Sequence, residues 1–113
     1  MKYKLAIGNI VTFEVIGKIS ESLTQAKNFK FKLTCNRLDQ DTMSMRMKDQ
    51  GETLTDFLLS ITTDWADQRL VLNEDDSPAE FNPDSFGALL SLAGMPMFLY
   101  QAYIKAVAVK EKN

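Results

Sequence analysis

The chain contains no histidine, and that absence alone removes the Ser-His-Asp triad, the Cys-His nucleophile pair and every His-ligated zinc site. A single cysteine, Cys35, leaves no internal disulfide to form. No apolar run approaches the roughly 20 residues of a membrane-spanning helix, so no membrane is expected as a partner. After the charged start Met1 to Lys4, the apolar stretch is broken by Gly8, Asn9 and Thr12 with no small-residue cleavage site, which argues against a signal peptide. Together these features predict a cytosolic protein. A dominant charge is missing too. Thirteen basic against fifteen acidic residues leave a net charge of −2, which offers no electrostatic reason to bind nucleic acid.

What is present suits one domain over residues 1–113, since 113 residues at 45% hydrophobic composition support a single modest core. The organising stretch is Leu54 to Trp65. Leu54, Phe57, Leu58, Ile61 and Trp65 share one face at helical spacing, and Thr53 with Asp56 provides a start resembling a capping box. Upstream the period is two. Tyr3, Leu5 and Ile7, then Val11, Phe13 and Val15, alternate around Gly8-Asn9 and predict a β-hairpin, with Gly17 marking a bend or bulge before Ile19. Phe29, Phe31, Leu33 and Cys35 predict a third strand, with Ser20 to Asn28 as the loop before it. Such a meander over residues 1–36 has one apolar face, which the helical part at 37–113 must cover. The expected fold class is α+β, an N-terminal three-stranded antiparallel sheet followed by three or four packed helices. A mainly α domain with an N-terminal hairpin is the alternative.

Within the helical part, Arg37 to Gln50 carries a mixed signal, read as helix. Gly51 ends it. Leu70 to Leu72 reads as a short extended piece and Asn73 to Pro78 as an acidic turn. Asn82 followed by Pro83 is a helix start, and Phe86, Leu89 and Leu90 give that helix its buried face. Gly94 stops it and Pro96 restarts the chain. Leu99, Ala102, Tyr103 and Ala106 form the stripe of a last helix, with Lys105, Lys110 and Lys112 towards its C-terminal end. Trp65 is expected to pack near Tyr103.

No catalytic constellation emerges from these elements. Asp39 with Asp41, Asp64 with Asp67, and Glu74 with Asp75 and Asp76 have the chemistry to bind Mg²⁺ or Ca²⁺, but they read better as caps and solvated turns. An EF-hand loop begun at Asp39 would place Ser44 where glycine is needed and Gln50 where glutamate is needed. No metal or cofactor is therefore expected. Cys35 reads as a buried thiol rather than a nucleophile, because nothing beside it would lower its pKa. The methionines, Met95 and Met97 beside Pro96 included, offer either core gap-filling or an adaptable binding surface. Trp65 reads as a core anchor, with a partner-binding hot spot as the other option.

In the second half of the chain the order of signals resembles the tail assembly chaperones of long-tailed bacteriophages and prophages. The resemblance lies in the run Phe57, Leu58, Ile61, Asp64, Trp65, the acidic turn Asn73 to Ser77, and the helix start Phe81 to Ser85. It continues through Leu89 and Leu90 to Tyr103 in a final helix ending at Lys112 and Asn113. The usual glycine after the Trp is replaced by Ala66, Asp67 and Gln68. The resemblance implies a non-enzymatic assembly factor in the host bacterium's cytoplasm, whose partners are the tape measure protein, the tail tube protein and further copies of itself. It marks Phe57, Ile61, Trp65, Phe81, Ser85, Leu89 and Tyr103 as family-motif or partner-binding residues. It also implies a longer second product from a one-base backward ribosomal frameshift, which Glu111-Lys112-Asn113 permits if encoded by the slippery bases A AAA AAC. The alternative is a minor structural protein of the phage tail or head-tail junction. A metal-dependent enzyme rests on the acidic clusters alone.

Overall fold

A computed structural model describes residues 2–112, so expectations touching Met1 and Asn113 fall outside it. The elements run β1 (Ile10–Ser20), β2 (Ala26–Asn36), α1 (Gln40–Lys48), α2 (Leu54–Ile61), β3 (Thr62–Ala66), α3 (Pro83–Leu90) and α4 (Met95–Val107). The fold is α+β. Its three-stranded antiparallel sheet has the order β1-β2-β3, and the helices supply the lid that its apolar face requires.

Two of the expected strands form, in lengthened form, and the third strand is a different one. β1 and β2 pair over 11 residues each, from Ile10 opposite Asn36 to Ser20 opposite Ala26, and the expected loop contracts to residues 21–25. The hairpin between Tyr3–Ile7 and Val11–Val15 does not form. Its tight turn would need positive φ at Gly8 and Asn9, yet among the described residues only Asp67, Asp76 and Gly94 have it. Asn9 instead accepts a hydrogen bond from the Arg37 N–H at 2.6 Å, which lengthens the β1–β2 ladder by one more pair. The hairpin fails at its turn, and the β1 edge it would have used has no strand beside it among the described residues.

Gly17 introduces no bulge, since pairing with Phe29 continues straight through it. Its reason is close approach. A Cβ at this position would lie 2.7 Å from Phe29 Cζ and 2.9 Å from Phe98 Cζ, so the glycine leaves room for two rings that meet edge to face.

The third strand comes out of the central helix. α2 starts as expected, with the Thr53 side chain accepting from the Asp56 N–H, but it stops at Ile61. Thr62 and Thr63 are β-branched, and the chain from Thr62 to Ala66 pairs with the free edge of β2, Leu33 opposite Trp65 and Cys35 opposite Thr62. Trp65 thus keeps the inward direction that helical spacing predicts, but on a strand. The division into β residues 1–36 and helical residues 37–113 is corrected accordingly, with β3 lying inside the second part.

Four helices complete the molecule. α1 is shorter than the expected 37–50 and buries no residue. α3 has a full capping box, the Asn82 side chain accepting from the Ser85 N–H at 2.8 Å and the Ser85 hydroxyl accepting from the Asn82 N–H at 2.9 Å. α4 follows Gly94 at φ 86 and ends at Val107, so Lys105 alone of the three expected lysines sits in its last turn. Residues 108–112 leave the helix rather than extending it. Among the described residues no single helix is long and apolar enough to cross a membrane.

Tyr103 is fully buried on α4, with Phe13 and Phe57 edge-on to its ring at 6.3 and 6.0 Å. Its hydroxyl donates to the Asn36 carbonyl at 2.8 Å and accepts from the Leu38 N–H at 3.2 Å. Replacing Tyr103 by Phe leaves both backbone groups unpaired while preserving the ring. Urea unfolding of Tyr103→Phe should therefore show a loss of about 1–3 kcal/mol.

Candidate functional site

Four of the seven motif residues fall into two aromatic nests, Ile61 and Leu89 are buried aliphatic core residues, and Ser85 serves as cap. In the first nest, Trp65 meets Phe81 at 5.4 Å and Phe86 at 6.2 Å, ring centroid to ring centroid. Phe81 and Phe86 in turn lie 5.4 Å apart. The second nest joins Phe57 to Tyr100 at 5.6 Å and to Tyr103. The expected neighbours Trp65 and Tyr103 thus stand in different nests. Trp65 faces the loop and α3 because β3 turns it that way, whereas a helix running to residue 65 would have turned it towards α4. Phe57, Ile61, Trp65, Leu89 and Tyr103 are all buried and Phe81 is half-buried, so these side chains hold the core.

One organising residue gave no signal in the sequence. Gln68 is 2% exposed, and its amide makes four hydrogen bonds to the backbone of its own loop. Its Nε2 donates to the carbonyls of Val71 at 2.9 Å and Ala79 at 3.1 Å, and its Oε1 accepts from the N–H groups of Leu70 at 3.0 Å and Val71 at 2.8 Å. The Trp65 indole N–H donates to the same Ala79 carbonyl at 3.1 Å. Asp67 takes φ 66 and so supplies the left-handed turn that lets Gln68 point back inside. The acidic turn closes separately, through Asn73 N–H to Ser77 carbonyl at 2.8 Å and a bridge between Leu72 and Pro78.

The acidic residues act locally. Asp39 caps α1 by accepting from the Thr42 N–H at 2.8 Å, and that bond holds its carboxyl below the usual range. Asp75 is lowered likewise by the Ser77 hydroxyl and N–H. Among the described residues no three Cys, Asp or Glu side chains converge on a common point. Cys35 is completely buried, and burial pushes its thiol pKa up, against a weaker opposing contact with the Thr62 hydroxyl at 3.5 Å. Burial also raises the Tyr103 phenol.

The surface offers more than the core. α1 holds Met45 and Met47 at 73% and 65% exposure, fixed to α2 by Arg46. The guanidinium forks onto Glu52 at 3.1 and 2.5 Å, reaches the Ser60 hydroxyl at 2.6 Å and lies 4.6 Å from the centre of the Phe57 ring. A small cleft of about 160 Å³ opens beside Met47, floored by Leu54, Phe57 and Tyr100. No family model, curated protein or solved structure matches the chain.

Two predictions follow from this packing. Trp65→Ala should cost about 3–5 kcal/mol in chemical denaturation, since it empties a buried nest and removes one of the two side-chain donors to the Ala79 carbonyl. A fully folded mutant would make the indole a surface group instead. For Cys35 and Tyr103 the folded pKa lies above the unfolded one, so the unfolded chain loses these protons first as pH rises. Stability should hold through neutral pH and fall on the alkaline side, as melts across a pH series would record. Cys35 should react with a thiol reagent only after unfolding.

Proposed function

We propose that this protein is a non-enzymatic phage tail assembly chaperone that binds the tape measure protein and assists assembly of the tail tube in the cytoplasm of the bacterial host. The observation that carries this reading is α1, a helix with no buried residue that presents two methionines to solvent beside a cleft floored by Leu54, Phe57 and Tyr100 and rimmed by Arg46, Asp49 and Glu52. Unbranched thioether side chains adapt to many apolar partners, which suits a protein that must cover a long helical client at successive, non-identical positions. Arg46 makes the platform stiff. By pinning α1 to α2 it leaves the methionines mobile while the backbone beneath them stays put. The motif run from Phe57 to Tyr103 supports the reading as well, because the residues that carry the resemblance build the core on which α1 rests. Tail tube subunits and further copies of the chain are the other partners in this proposal, and no step in it calls for a cofactor.

Met45→Ser with Met47→Ser should leave the melting temperature unchanged and abolish co-purification with the tape measure protein. In phage lacking this gene, tails should fail to form, and purified wild-type particles should contain none of the protein. Presence in particles at stoichiometric copy number would overturn the chaperone reading in favour of a minor subunit of the tail or head-tail junction.

A further inference from the structure

The sheet has an open edge, and the chain carries a segment shaped to close it. β1 has only one neighbouring strand. At the two ends of its ladder, Asn9 accepts from Arg37 and Glu21 donates to Gln25, so odd-numbered residues form the bonded pairs with β2. The N–H and C=O groups of Ile10, Thr12, Glu14, Ile16 and Lys18 consequently point away from β2, along the free edge. A groove of about 410 Å³ runs beside them, lined from the strand's inner face by Phe13 and Val15, from its outer face by Glu14 and Ile16, and from α4 by Phe98 and Ala102. Both faces of a strand reach one groove only at an unpaired edge. Such an edge is a template for another strand.

Residues 3–7 have the strand pattern and no partner within the chain. Tyr3, Leu5 and Ile7 alternate with Ala6 and the lysines, and are 78%, 81% and 60% exposed. This arm cannot fold back onto its own β1, because Asn9 is held in the ladder by Arg37 and neither Gly8 nor Asn9 has the positive φ of a tight turn. The geometry points to a second copy of this chain as the occupant: the arm of each protomer adds as an antiparallel strand to the β1 edge of its partner. Directly opposite residues share a face, so odd arm residues set against odd β1 residues send Tyr3, Leu5 and Ile7 into the groove. Lys2 and Lys4 then fall on the outer face beside Glu14, the one acidic residue of β1. Five arm residues span about 17 Å, enough to cover roughly half of β1. Each copy offers one arm and one edge, so a reciprocal exchange about a two-fold axis closes as a dimer. The dimer requires no tape measure client, and it stands or falls separately from the chaperone reading.

Light scattering of the intact protein should give a dimer mass at micromolar concentration. Leu5→Asp with Ile7→Asp, both exposed positions, should weaken self-association by about tenfold or more with an unchanged melting temperature. Mixing a Leu5→Cys variant with an Ala102→Cys variant under mild oxidation should yield a cross-linked pair containing one of each, with buried Cys35 unreacted. A monomer at all concentrations would overturn the proposal. So would a dimer that the two aspartates leave intact, or an intrachain disulfide in a monomeric Leu5→Cys, Ala102→Cys double variant, which would mean that the arm folds back on its own edge.

Discussion

The structure depends on one buried phenol. Tyr103 sits on α4, nearly at the end of the described chain, yet its hydroxyl bonds to the last residue of β2 and to the backbone two residues beyond it. Its ring is packed between Phe13 of β1 and Phe57 of α2. One side chain thereby joins both long strands and two helices, and it satisfies the backbone where the chain leaves the sheet. A buried carbonyl or N–H without a partner would penalise that exit, and the residues available nearby on β2 are already used in the ladder.

A second polar device sustains the other flank. Gln68 ties the chain between β3 and α3 together, its amide bonding to backbone groups of Leu70, Val71 and Ala79 beside the bond from the Ala79 N–H to the Val71 carbonyl. Trp65 shares the Ala79 carbonyl, so loop and nest are formed together. The result is a largely apolar core in which Gln68 is buried with its amide fully bonded, while the buried Arg37 Nε has no hydrogen-bond partner among the described residues. The surface is where the molecule has reactive potential, in the methionines of α1 and in the unpaired edge of β1. The two features face different tasks. An adaptable side-chain surface suits a changing client, whereas a backbone edge suits a partner of fixed register, as a second copy is.

Much of this was legible from residue order. The inward alternation of Phe29 to Cys35, the caps at Thr53 and Asn82, the break at Gly94 and the stripe of α4 are local signals, each decided within a few residues by side-chain direction or by an orphan N–H needing an acceptor. The candidate residues Phe57, Ile61, Trp65, Leu89 and Tyr103 stand out in the sequence by type and spacing, and their burial places them in the core. Gln68 went unnoticed because a buried glutamine has no periodicity, and its value lies in the carbonyls and N–H groups that a particular loop brings around it.

By itself the sequence determined the α+β class, the single apolar sheet face and the starts of α2 and α3, because periods of two and 3.6 and the capping rules act over one or two turns. Tertiary structure alone decided which strands pair. Alternation cannot say whether Tyr3 to Ile7 joins the remaining edge of Val11 to Val15, since the buried pattern of that strand is the same either way, and the backbone at Gly8 and Asn9 decided against the turn. Nor can helical spacing distinguish Trp65 at the end of α2 from Trp65 on a strand, because either places it inward. The free edge of β2 settled that choice by offering Thr62 to Ala66 a partner that solvent could not match.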